Sequence, residues 1–301
     1  MINILISLDD NKKDGRKKNP EISLVFTDLD GTLSHNGLIS ADNVSAIRDF
    51  LGYNFMNHVV LASARPEYSL KRVLEEHDLA GLLEEHISLC TFNGQLSYHN
   101  GFKLTDIPIP QDVVSGIAGK LSGADELVMF HSANTSYGNI SAAWKAWEKE
   151  NLHYEFNRLP KDFDKTSVYL IEIINTVRKD LSSIITALDH RDDISTYSFP
   201  TVFTGELPEA ITRLAHIIPA SVNKGTALGK YIEASGVDPE NVLVLGDNIN
   251  DYDALIYPGV NAVLIGKPEE TLRRKFDESS SRIYVTENPE TGFAYALERF
   301  R

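Results

Sequence analysis

The chain has 301 residues, 42 % apolar and 24 % charged, an ordinary globular composition with enough length for two domains. Its 43 acidic residues against 29 basic ones give a net charge of −14, which disfavours nucleic acid and anionic membranes as partners. No apolar run is long enough to span a bilayer, and the opening "MINILISL" lacks the features of a secretory signal, so a cytoplasmic location is expected.

Residues 1–20 form an N-terminal extension whose basic run "NKKDGRKKNP", 11–20, predicts a solvated loop. Residues 22–26 read as a buried strand. It runs into "TDLDGT", where Asp28 and Asp30 stand two residues apart before Gly31. Residues 40–51 predict a helix with Ser40 as N-cap and Val44, Ile47, Phe50 and Leu51 on one face. A second strand, 58–62, ends in Ser63-Ala64-Arg65, and Pro66 opens a second helix. The strand at 87–92 contains the lone Cys90, read as a small core residue. With one cysteine the chain has no intramolecular disulfide and no cysteine-cluster metal site.

The rhythm changes from 105 to 206, where two helices sit among alternating segments such as "VYLIEI" and "ISTYSF". This predicts an α+β cap domain inserted into a doubly wound, Rossmann-like α/β core made of 21–104 and 207–301. Within the insertion, the polar and aromatic "FHSANTSYGN" at 130–139 is expected either as a surface loop or as a stretch facing the substrate. The core resumes with Lys224 in "VNKGTAL" and a helix that Gly236 closes. The strand at 242–245 then leads into "GDNIND", with strands at 260–265 and 282–286 to follow.

In open α/β sheets the carboxyl ends of the strands make the site. Four such ends are polar here: Asp28 and Asp30, Ser63, Lys224, and Asp247 with Asn248, Asn250 and Asp251. Asp28, Asp30 and Asp247 make a hard-oxygen set suited to magnesium. A carboxylate can also attack phosphorus and form an aspartyl-phosphate. Repulsion is the obstacle: a carboxylate about 4 Å from a phosphate dianion meets about 8 kcal/mol at an effective dielectric near 20. A magnesium ion and the Lys224 ammonium would offset it. Asp28 then attacks, while Asp30 protonates the leaving oxygen and later takes a proton from water.

The set "FTDLDGTL", "LASARP", "NKGTAL" and "GDNINDYDAL" resembles the four motifs of the haloacid dehalogenase superfamily of phosphohydrolases. The place of the insertion resembles the type IIB cap subgroup, which includes Cof-like sugar phosphatases and relatives of sucrose-phosphate phosphatase. "TFNGQL" and "VTENPETGFAYAL" resemble that subgroup as well. The resemblance implies Asp28 as nucleophile and Asp30 as acid/base, with Ser63, Lys224 and Asn250 on the phosphoryl group. It implies magnesium held by Asp28, the carbonyl of Asp30 and Asp247, supported by Asp251. Ala64 in place of glycine and Lys267 in "IGKPEE" depart from the pattern; Lys267 either adds charge near the site or points to solvent. The expected activity is hydrolysis of a small phosphorylated metabolite, a sugar phosphate by resemblance. A sugar-phosphate mutase and a non-catalytic phosphate-ligand binder are its alternatives.

Overall fold

Consecutive apolar residues in a strand require cover on both of its faces, and these strands have it. Leu24, Phe26, Val60 and Val244 pack against Leu228 and Tyr231, while the intervening Val25, Val59 and Leu243 are just as fully buried. The computed structural model describes residues 5–7, 21–35, 37–121, 127–138, 140–159, 163–176, 182–188, 190–199, 211–267, 270–278 and 283–300. The basic run 11–20 and the expected joint at 206 lie outside them.

Two compact units emerge. The first comprises Met1–Ser63, Leu74–Thr105 and Asn223–Arg301, and the second Ala64–Val73 and Asp106–Val222. The first is built on a nine-stranded sheet. Its order is Leu5–Ser7, Ile283–Thr286, Asn261–Ile265, Val242–Gly246, Leu24–Thr27, His58–Ala62, Ile87–Thr91, Leu96–His99 and Phe102–Asp106. The first seven strands run parallel, and the turn back from Ile87–Thr91 to Leu96–His99 is antiparallel. Leu24–Thr27 therefore lies between Val242–Gly246 and His58–Ala62, and the polar ends of all three open on one edge. This is the doubly wound α/β core expected from the sequence.

The helices begin and end where local chemistry sets them. Ser40 accepts a hydrogen bond from the Asn43 amide at the start of Ala41–Tyr53. Asn223 and Thr226 form a reciprocal cap on Lys224–Ser235, and Gly236 closes that helix at φ +67°. No helix among the described residues is long and apolar enough to cross a membrane.

The second unit is a separate mixed sheet, in the order Phe156–Asn157, Ser136–Gly138, Val128–His131, Leu170–Thr176, Ile211–Pro219 and Ile194–Phe199. One face buries Val128, Phe130, Ile171 and Ile173 beneath the helices Gln111–Ala118 and Ser182–Thr186. The other meets Trp144 and Trp147 of a third helix, Ala142–Leu152, which the sequence reading did not pick out. The expected surface loop at 130–139 is instead mostly hairpin. His131 pairs with Ser136, both fully buried, and only Ser132–Thr135 make the turn. Its polarity misled because those two side chains hydrogen-bond each other inside the fold.

Tyr231 shows how helix and strand ends are pinned together in the core. Its buried hydroxyl lies 3.0 Å from the carbonyl of Leu89 and 2.8 Å from that of Tyr98, bridging two strands that meet at a hairpin. Tyr231→Phe keeps the packing and leaves those carbonyls short of a donor. Urea denaturation should show a loss of about 1–2 kcal/mol with an unchanged m-value.

Candidate active site

Asp28 follows the buried strand Leu24–Thr27 directly, and its amide donates to the carbonyl of Leu245 on the neighbouring strand. The ladder is thus continued by one residue, which fixes the carboxylate at the sheet edge. Lys224 opens its helix, with its side chain 1 % exposed, and its Nζ lies 2.6 Å from Asp28 Oδ1 and 2.6 Å from Asp251 Oδ1. The other oxygen of Asp251 accepts hydrogen bonds from the amides of Asp247 and Asn248, each at 3.0 Å. Asp251 therefore both holds the lysine and shapes the loop that carries Asp247.

Asp247 receives a hydrogen bond from the Thr32 hydroxyl at 2.9 Å. Carboxylate oxygens of Asp28, Asp247 and Asp251 all lie within 4.8 Å of one another. Three acids thus face one ammonium, and the electrostatics carry the mark of that excess. Burial pushes the Asp28 carboxyl up to about 7; Lys224 opposes this, while Asp251 and Asp30 add to it. Burial also holds Asp247 well above the usual carboxylate range, reinforced by Asp28 and Asp251. Burial alone would depress Lys224, but Asp251 and Asp28 overcome it and raise its pKa. A hard oxygen cluster with negative charge left over fits a divalent cation such as magnesium. Both oxygens of Asp251 are already engaged, so Asp28 and Asp247 are the side chains placed to hold one.

Asp30 is exposed at the turn, where Gly31 donates to the carbonyl of Ser34. Gly31 sits at φ +88°, and a Cβ there would fall 2.4 Å from Asp247 Oδ2. Ser63 is buried at the end of His58–Ala62; its amide donates to Cys90 and its carbonyl accepts from Asn93. Asn250 donates to the Asn93 side chain at 3.1 Å. Lys267 lies away from this arrangement: its side chain is 78 % exposed and 3.7 Å from Glu287, so it points to solvent. Cys90 is fully buried, and burial pushes its thiol up to about 12, leaving it inert at neutral pH.

The family model described as haloacid dehalogenase-like hydrolase matches residues 25–273. The chain belongs to the haloacid dehalogenase-like hydrolases. A Bacillus subtilis phosphatase of 5-amino-6-(5-phospho-D-ribitylamino)uracil is 24 % identical, covering 95 % of this chain and 98 % of its own. Among solved structures, a haloacid dehalogenase-like hydrolase from Bacteroides thetaiotaomicron superposes with a TM-score of 0.72 at 20 % identity, covering 93 % of this chain and all of that one. A sugar phosphatase of subclass IIB gives 0.69 at 18 %, covering 92 % and 98 %. Core and cap sheets match the architecture of this hydrolase family, and its phosphoryl-transfer chemistry is consistent with the clustered acids.

Two residues of this site escape the sequence reading. Thr32 stands inside the "DGT" of the first motif, yet only the fold shows that it orients Asp247, 215 positions away. Asn93 stands inside "FNG", where Phe92 and Asn93 both take positive φ, a conformation that local sequence signals only through the asparagine-glycine pair.

Two outcomes follow for a haloacid dehalogenase-like hydrolase built this way. Gly31→Ala should drive Asp247 out of place and lower turnover by at least about 100-fold, with far-ultraviolet circular dichroism unchanged. Lys224→Met, measured in chelator at pH 8, should destabilise the chain by about 3–5 kcal/mol, because it leaves buried carboxylates uncompensated. The folded pKa of Asp28, about 7, lies above its ordinary 3.8, so the stability cost of its buried carboxylate accumulates as pH rises from 3.8 to about 7 and is constant above that. The loss should therefore shrink at pH 5, where that carboxyl is protonated.

Proposed function

We propose that this chain is a magnesium-dependent phosphate monoester hydrolase acting on a small phosphorylated sugar or polyol. The observation that carries the reading is the sharing of one buried ammonium by Asp28 and Asp251, with Asp247 alongside. That arrangement holds a carboxylate next to positive charge without neutralising it. The phosphatase names of the Bacillus subtilis relative and of the subclass IIB structure support the substrate class.

In this reading Asp28 attacks phosphorus, and the bond to the ester oxygen breaks as Asp30 delivers a proton to that oxygen. Exposure of Asp30 suits a group that must meet both leaving group and water. Water then attacks the aspartyl-phosphate, loses its proton to Asp30, and releases inorganic phosphate with Asp28 restored. Lys224 and Ser63 steady the phosphoryl oxygens, with Asn250 supporting the loop beside them. Magnesium, held by Asp28, Asp247 and the main-chain carbonyl of Asp30, would supply the positive charge that offsets the meeting of two anions.

The deciding assay is phosphate release from a panel of sugar, polyol and nucleotide monophosphates, with magnesium or with chelator. Release should require the metal and fall at least about 1,000-fold in Asp28→Asn. Release that persists in chelator or in the variant would sink this mechanism, and isomerised product with no free phosphate would point to a mutase.

A further inference from the structure

The turn Phe92–Gly94, which ends the strand Ile87–Thr91, holds a conformation that local forces disfavour. Phe92, Asn93 and Gly94 stand at φ +52°, +57° and +105°, three left-handed residues in succession, one of them a fully buried aromatic. Side chains around the turn hold it there. Gln95 Nε2 donates to the Phe92 carbonyl at 2.8 Å, and the Thr91 hydroxyl to the Leu96 carbonyl at 2.9 Å. The Thr105 hydroxyl spends its one proton on the Gly94 carbonyl at 2.8 Å, so Ser97, 2.6 Å away, donates to Thr105. Strain over-determined in this way persists where a fixed geometry serves a site.

What the turn fixes is Asn93, 2 % exposed. Beyond the last paired strand residues, the Ser63 amide donates to the Cys90 carbonyl and the Asn93 amide to the Ser63 carbonyl, both at 2.9 Å. Oδ1 of Asn93 accepts from Asn250 Nδ2 at 3.1 Å, across 157 positions of chain. Asn93 thus touches two of the four polar strand ends at once, Ser63 with its main chain and Asn250 with its side chain. Its Nδ2 is buried without a hydrogen-bond partner among the described residues. An asparagine kept for the stability of the turn would seldom leave a buried donor unspent. This one forgoes that bond while its oxygen stays on Asn250.

We propose that Asn93 is a positioning residue for phosphoryl binding, a brace that sets the spacing between the Ser63 strand end and the Asn250 turn. Its role rests on the hydrolytic reading only in that Ser63 meets the phosphoryl oxygens and Asn250 supports the loop beside them. Freed from Asn93, the turn that carries Asp247, Asn250 and Asp251 can shift against Ser63, and groups that grip one anion from two sides lose their common geometry.

Isothermal titration of inorganic phosphate into the full chain with magnesium tests the brace, in wild type, Asn93→Gly, Asn250→Ala and the double variant. Glycine keeps the left-handed backbone and the amide to Ser63 and removes only the side chain. Asn93→Ser takes its place should that variant fail to fold. Each single change should weaken phosphate binding about tenfold. The double variant should bind no more weakly than the weaker single one, where independent roles would multiply to about 100-fold. Wild-type affinity in Asn93→Gly, or a multiplied loss in the double variant, would overturn the proposal and leave Asn93 a residue of the turn alone. Phosphate that does not bind the wild type would overturn it too. Turnover of para-nitrophenyl phosphate, followed in parallel, keeps the two readings apart: binding without turnover strikes the hydrolase, and the titration still decides the brace.

Discussion

One ammonium between two carboxylates organises the catalytic unit. Lys224 could not be buried at this depth without charge to meet it, and Asp28 and Asp251 could not lie so near each other without a cation between them. Each therefore holds the others in place. The lysine is set by the first turn of a helix, Asp28 by a continued strand ladder, and Asp251 by two main-chain amides. None of the three relies on a flexible loop for its position. The excess negative charge that survives this pairing is consistent with a site for a hard cation.

The closeness of these groups puts demands on the backbone around them. At Gly246 an added Cβ would fall 2.5 Å from that of Asp251, and at Gly225 it would meet the carbonyl of Asp253 at 2.6 Å. These two glycines make room for neighbours rather than for unusual dihedral angles, since neither is among the residues at positive φ. The density of the site is thus written partly in residues that have no side chain.

Much of this was legible in the sequence, because the core strands announce themselves by unbroken apolar runs and their polar ends fall at strand boundaries. Asp28, Asp247 and Asp251 could be singled out for that reason and Lys224 by its place at a helix start, and the fold brings all four together. Ser40 and Gly236 cap their helices as local chemistry dictates. The cap was harder. Its strands mix buried polar residues with apolar ones, so "FHSANTSYGN" looks like solvent-facing loop although His131 and Ser136 are enclosed. The helix Ala142–Leu152 hides its amphipathic pattern because Glu148 is buried on its apolar side beside Trp144 and Trp147. Contacts made across long separations, such as Thr32 with Asp247, leave no local trace at all.

The short strand Leu5–Ser7 lies far from this chemistry, yet it runs parallel to Ile283–Thr286 along the outer edge of the sheet. An open edge offers a row of unmet amides and carbonyls on which another chain can add. Leu5–Ser7 becomes that edge itself, and with three residues it presents a shorter row than Ile283–Thr286 would. The length of a sheet's outermost strand thus bears on how the protein behaves in concentrated solution, a matter apart from turnover.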